Sequence, residues 1–162
     1  MEWTRSVLAS AGFAGFVRFS ELPVVQVPHG PGVYVIVRQD DRAPQFLPFS
    51  PAGRFKGKDP SVSRARLEAE WVDGARIVYI GKAAGGVSGR RVLRKRLDEF
   101  RRFGAGEPIG HWGGRLIWQL GESESLLVCW KLTAGDPGST ETSMIADFAA
   151  VYGCRPFANL RN

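Results

Sequence analysis

A pair of tyrosines, an arginine, a glutamate and a segment dense in basic residues are the parts of this chain whose types and settings could do chemistry. Tyr34 and Tyr79 lie in "PGVYVIV" and "VYIGKA", mid-to-late in two apolar runs where a core tyrosine is the ordinary occupant. A phenol has a reference pKa of about 10, so Tyr34 could act as a base at neutral pH only beside positive charge from Arg96, Lys82 or a metal. On a helix, Arg96 has Val92, Leu93 and Phe100 as its i−4, i−3 and i+4 neighbours and borders an apolar stripe. An arginine there snorkels, pairs with a structural carboxylate, or serves a site. Glu141 shares a helical stripe with Ile145, Phe148 and Tyr152, which turns its carboxylate inward, an unusual setting for glutamate. The structural alternative is a first-turn carboxylate complementing the helix dipole. From Arg90 to Arg102 the chain carries Arg90, Arg91, Arg94, Lys95, Arg96, Arg101 and Arg102 against Asp98 and Glu99. That patch reads as a solvated face suited to tracking phosphates, affecting affinity rather than turnover. His111, in "GHWGGR", adjoins Trp112 and two glycines that permit close backbone approach. It could supply a second base or a base-stacking platform, or be a surface histidine on a glycine turn.

These residues need a scaffold, and the composition allows an ordinary one. With 162 residues, 44% hydrophobic and 11% aromatic, the chain fits one domain, residues 1–162, with a single core. Its formal net charge of +6 and pI near 9.8 favour a polyanionic partner. No apolar run is long enough for a bilayer, and the N-terminus lacks a secretory pattern, so a cytoplasmic protein without a membrane partner is expected. Cys129 and Cys154 are far apart, with no CxxC pair, and read as reduced core residues rather than as disulfide or zinc ligands.

Residues 1–30 read as a leading segment: a short helix, an apolar stretch and a proline-punctuated connection. Gly32 to Arg38 reads as a strand. Residues 39–75 form a loop-rich insertion, with a short helix near Leu67 and Trp71 that Gly74 ends. Ala75 to Gly81 is a second strand, with Ile77, Tyr79 and Gly81 on one face. Leu93, Leu97, Phe100 and Phe103 mark an amphipathic helix stopped by Gly104. Arg115–Leu120 and Leu126–Leu132 read as two more strands. The last helix runs from near Ser139 to Gly153, its Ser and Thr residues starting it.

In this order, "PGVYVIV", "VYIGKA", "LRKRLDEF", "ETSMIADF" and "PFAN" resemble the GIY-YIG nuclease family over residues 31–159. The resemblance implies an α/β fold of α+β type: a small, mainly antiparallel central sheet flanked by helices, with the site on one sheet face where the basic helix and Glu141 converge. It implies hydrolysis of a phosphodiester, in DNA, leaving 5′-phosphate and 3′-hydroxyl ends. Tyr34 would take the proton of the attacking water, Tyr79 would orient water or phosphate, and Arg96 would stabilise the transition state, with Lys82 adding charge. Glu141 would hold one divalent metal, Mg²⁺ or Mn²⁺, since Mg²⁺ keeps most of its waters and needs few carboxylates. Asn159 matches a late asparagine that positions the site, with a turn cap as its alternative, and Gly32 and Gly81 would let backbone approach the substrate. Two features depart from shorter relatives: the long connection between the signature strands, and Phe100 where some relatives place histidine or tyrosine. Specificity would come from the insertion, a homodimer or a partner protein. The alternative of a different class is a non-catalytic nucleic-acid-binding module using the same basic face.

Overall fold

The computed structural model describes residues 2–85 and 92–160. Helix α1, Arg5–Ser10, is capped by Thr4, whose side chain accepts from Val7 N–H. Strand β1, Ala14–Arg18, follows, and then a 3-10 turn over Phe19–Val24. Further along come β2 (Gly32–Val37), α2 (Arg64–Glu70), β3 (Ile77–Ala83) and α3 (Leu93–Gly104). Strand β4 (Leu127–Leu132) and α4 (Pro137–Tyr152) complete the regular elements. The four strands form one antiparallel sheet in the order β1-β4-β2-β3, so the architecture is α+β, as expected.

Strand β2 is hydrogen-bonded on both edges and buried at all six positions, which is why its sequence is continuously apolar instead of alternating. Tyr34 and Ile36 point to one face, into a core with Leu93, Leu97, Phe100 and Phe103 of α3. Val33, Val35 and Val37 point to the other, against Leu8 of α1 and Met144 and Phe148 of α4. The basic helix and the helix bearing Glu141 therefore lie on opposite faces of the sheet. This corrects the expectation that they converge on one face.

Four local expectations also change. Ile36 pairs with Tyr79 but Val37 with Ile77, leaving Val78 as the extra residue of a bulge. Val78 and Tyr79 consequently share the α3 side while Ile77 joins Ile80 on the other, so Ile77 does not face with Tyr79 and Gly81. Arg115–Gln119 is a 3-10 turn rather than a strand, entered through Gly114 at φ 79°. Leu116 to Gln119 are buried, and a short apolar run gives no period by which strand and turn can be told apart. Helix α4 starts earlier than Ser139: Asp136 is the cap, accepting from Ser139 N–H at 2.9 Å, and Pro137 occupies the first turn. Glu141 thus sits in the second turn, and the helix-dipole explanation for it weakens. Gly104 lies within α3 because Trp118 leaves no room there for a Cβ, and Gly74, past the end of α2, belongs to the turn before β3. Of the cysteines, Cys129 is buried but Cys154 is exposed.

The insertion is anchored by buried polar groups. Gln119 Nε2 donates to Leu47 O at 3.0 Å and Val62 O at 2.9 Å, and its Oε1 accepts from Val62 N–H at 2.9 Å. Arg38, 3% exposed, donates to Glu122 Oε1 and to Arg42 O and lies over the Trp71 ring. No helix among the described residues is long and apolar enough to cross a membrane. Gln119→Leu fills similar space but strands three backbone groups, so it should lower the unfolding free energy by about 2–3 kcal/mol, read from the urea midpoint.

Candidate active site at the sheet edge

Strand β3 is an edge strand, and an edge exposes unpaired backbone groups that must be covered or tolerated. The C-terminal tail covers part of it. Ala158 N–H donates to Val78 O at 2.8 Å, and the Asn159 amide both donates to Ile80 O at 2.8 Å and accepts from Ile80 N–H at 2.9 Å. Asn159 thereby imitates a neighbouring strand and fixes the backbone on either side of Tyr79. Beside this clamp opens a cleft of about 920 Å³ whose lining includes Tyr79, Lys82, Gly113, Glu141 and Asn159.

The two tyrosines meet through the β2–β3 pairing, their ring centroids 6.0 Å apart. Tyr34 has no exposed surface, whereas Tyr79 is 7% exposed and lines the cleft. A direct meeting of Tyr34 with an attacking water is therefore corrected: Tyr79 stands at the cleft and Tyr34 behind it. Burial first, and the adjacent Tyr79 next, hold the Tyr34 hydroxyl well above its usual pKa, against the lowering influence of Arg96. Burial likewise pushes Tyr79 up to about 12 despite Arg96.

His111 is neither at the surface nor a platform for a base. It is fully buried, stacked parallel on Phe100 with ring centroids 3.8 Å apart. Its Nδ1 lies 2.9 Å from Gly113 O, and its Nε2 lies 3.1 Å from the Tyr34 hydroxyl. A carbonyl oxygen can only accept, so Nδ1 carries the proton, Nε2 is the acceptor, and Tyr34 donates to it. Burial, followed by the Arg96 charge, holds His111 well below the usual histidine pKa and keeps it neutral.

Glu141 reaches the cleft from α4, its side chain 18% exposed and its Oε2 3.0 Å from Lys82 Nζ. Among the described residues no three His, Cys, Asp or Glu side chains gather as a metal cage. The donor set is one carboxylate beside open space, which fits a largely hydrated Mg²⁺ completing its shell with water and phosphate oxygens, and does not fit structural zinc. Lys82, whose side chain is 45% exposed, holds the same carboxylate from the solvent side.

Arg96 stands beside the cluster without lining the cleft. Its Nη1 donates to Gly110 O at 3.3 Å and pairs with Glu99 at 3.5 Å. Its charge nevertheless acts on Tyr34, Tyr79 and His111 together. The two glycines assigned to substrate approach serve packing: a Cβ on Gly81 would strike the Tyr34 ring and one on Gly32 would strike Lys131 O. The basic helix is largely neutralised, with Arg101 on Asp98 at 2.7 Å and Arg102 on Glu107 at 2.9 Å. Arg94 and Lys95 line a separate hollow beside Pro23 and His29. Arg90 and Arg91 lie outside the described residues. The sequence reading missed Arg66, Arg115 and Arg155, which line the cleft from three segments; no spacing in the chain signals that they meet.

Comparison of the chain with protein-family models, curated proteins and solved structures finds no match. The site therefore stands on its own geometry and on the motifs that carry the resemblance.

Because folded His111 binds its proton only well below pH 6.5, the unfolded chain takes up a proton there that the folded chain refuses. Stability is unaffected above about pH 6.5 and falls below it, by at most about 1.4 kcal/mol per pH unit from this group. Urea midpoints measured from pH 7 down to about pH 5 should show this slope in the wild type and its loss in His111→Gln.

Proposed function

We propose that this chain is a metal-dependent endonuclease of the GIY-YIG type, hydrolysing phosphodiester bonds in DNA. The observation that carries the reading is a convergence. Tyr79 of β3 and Glu141 of α4 line one cleft at the sheet edge, and Tyr34 of β2 and His111 of a glycine-rich loop lie buried behind Tyr79, hydrogen-bonded to each other.

In this reading the scissile phosphate sits between Tyr79 and Glu141. A water attacks phosphorus, a new O–P bond forms, and the bond to the 3′ oxygen breaks, that oxygen taking a proton from solvent water in the open cleft, which leaves 5′-phosphate and 3′-hydroxyl ends. The water's proton passes to the Tyr79 oxygen as the tyrosine hydroxyl protons shift inward, ending on His111 Nε2. A relay suits two phenols whose pKa values lie above neutrality, since neither must exist as a free phenolate; the neutral imidazole is the acceptor. His111 holds that proton only transiently, because burial and Arg96 disfavour its charged form, and the proton returns to solvent through the tyrosine hydroxyls. Arg96 offsets the negative charge that develops on the phosphate from the side. A divalent cation, when bound at Glu141, supplies Lewis-acid polarisation of the phosphate oxygens. Lys82 keeps the carboxylate oriented until then.

Purified protein incubated with supercoiled plasmid, linear duplex, single-stranded DNA and RNA, in Mg²⁺, Mn²⁺ or EDTA, tests this. Cleavage should require metal, and Glu141→Gln should abolish it while leaving DNA affinity within about twofold. Tyr79→Phe should lower turnover by roughly 10²–10⁴-fold, the usual range for a lost proton-transfer group. Binding without cutting under every condition would favour the non-catalytic module. Wild-type cutting by Glu141→Gln would remove the metal assignment.

A further inference from the structure

The lining of the cleft includes three arginines to which the reaction described above gives no part. Arg66 comes from α2 in the insertion, Arg115 from the 3-10 turn after the glycine loop, and Arg155 from the C-terminal tail. Arg66 and Arg155 are exposed, and Arg115 is partly buried. Among the described residues no carboxylate forms an ion pair with any of the three, in contrast to Arg64, Arg101 and Arg102, which pair with Glu68, Asp98 and Glu107. Uncompensated like charges held together in a partly dry cleft are unfavourable unless an anion joins them.

Arg115 is also prepared for such an anion. Its guanidinium lies 4.5 Å over the Trp112 ring and donates to Trp112 O at 3.4 Å, so one face and one corner of the fork are fixed. The stacked plane leaves its remaining N–H groups for a bidentate contact with a phosphate. Arg66 and Arg115 line the same cleft, and burial first, then the Arg66 charge, lower the Arg115 pKa.

We infer that Arg66, Arg115 and Arg155 form a phosphate cradle that leads the nucleic-acid backbone into the cleft toward Glu141, so that the strand follows the β3 edge and not the basic face of α3. The assignment rests on a nucleic-acid ligand, the class proposed above. It gives the long insertion a role, since α2 supplies one wall of the path. It also accounts for a basic chain whose most conspicuous basic helix spends its charge on neighbouring carboxylates.

The test is binding of a short fluorescein-labelled DNA duplex in EDTA, where no cleavage intervenes, over a series of salt concentrations. Arg66→Glu with Arg115→Glu is compared with Arg18→Glu with Arg42→Glu, a control of equal charge change placed at the far edge of the sheet and in an exposed loop. Arg66→Glu alone, at an exposed position, guards against misfolding of the Arg115 variant. The cradle pair should weaken binding roughly tenfold or more, and Arg66→Ala with Arg115→Ala should flatten the salt dependence by nearly two in log–log slope, about 0.9 per lost phosphate contact. The control should bind within about twofold of wild type. Equal losses in both charge-reversed pairs, or wild-type affinity in the cradle variants, would overturn the cradle. If wild type cuts DNA and the cradle variants bind and cut normally, the cradle falls and the nuclease stands. Cradle-dependent binding without cutting leaves the cradle and removes the nuclease.

Discussion

The Tyr34 hydroxyl lies at the centre of the molecule with no access to water, and a buried hydroxyl must find a partner or cost a few kcal/mol. His111 Nε2 is that partner, and much of the surrounding structure follows from keeping the two together. Gly81 must lack a side chain because the Tyr34 ring occupies its space, and Gly114 must lack one because Phe100 and Tyr79 occupy its own. Gly113 turns its carbonyl to His111 Nδ1, fixing the tautomer that accepts from tyrosine. Phe100 forms the shelf on which the imidazole stacks. A polar residue at position 100 would be buried without an evident partner. The imidazole reaches the cluster from a loop separate from the helix that carries Phe100.

The same burial sets the electrostatics. The cluster is two neutral phenols and a neutral imidazole, with one cation, Arg96, at its flank and one ion pair, Lys82–Glu141, at its mouth. Charge is thus kept at the margin of the cluster, where solvent can compensate it, while the interior holds only uncharged polar groups. This division follows from topology. α3 and α4 cover opposite faces of the sheet, so their functional side chains can meet only around an edge, and β3 is the edge available.

The sequence made the regular elements legible where burial and period agree. β2, α3 and α4 are recovered with small shifts at their ends, because each carries an uninterrupted apolar run or a clear helical stripe. Tyr34, Tyr79 and Glu141 were legible as site candidates for the same reason, each being a polar group placed among apolar neighbours. What was hidden depends on three-dimensional register. The bulge at Val78 reverses the facing of Ile77 without leaving any mark in the residue types. Arg115–Gln119 reads as a strand because a turn whose last four residues are buried has the composition of one. His111 looked exposed among glycines, since nothing local shows that Phe100 and Tyr34 will enclose it. The basic surplus on α3 was visible, but its cancellation by Asp98 and Glu107 depends on rotamers and on a turn beyond the helix.

The long connection between β2 and β3 is the feature that most separates this chain from a compact hairpin arrangement, and its anchoring argues that it is structural rather than decorative. A free loop of that length would lose considerable entropy on ordering and return little. Here Gln119 satisfies three backbone groups of the loop, Arg38 joins its start to Glu122, and Phe46 and Trp71 pack with Phe157 of the tail. Insertion and tail are therefore held against one another, and each delivers an arginine to the cleft wall. The tail also clamps β3 through Asn159. One set of contacts therefore both protects an edge strand and holds the insertion and tail residues that reach the cleft beside it, and loosening either excursion should disturb the cleft before it disturbs the sheet.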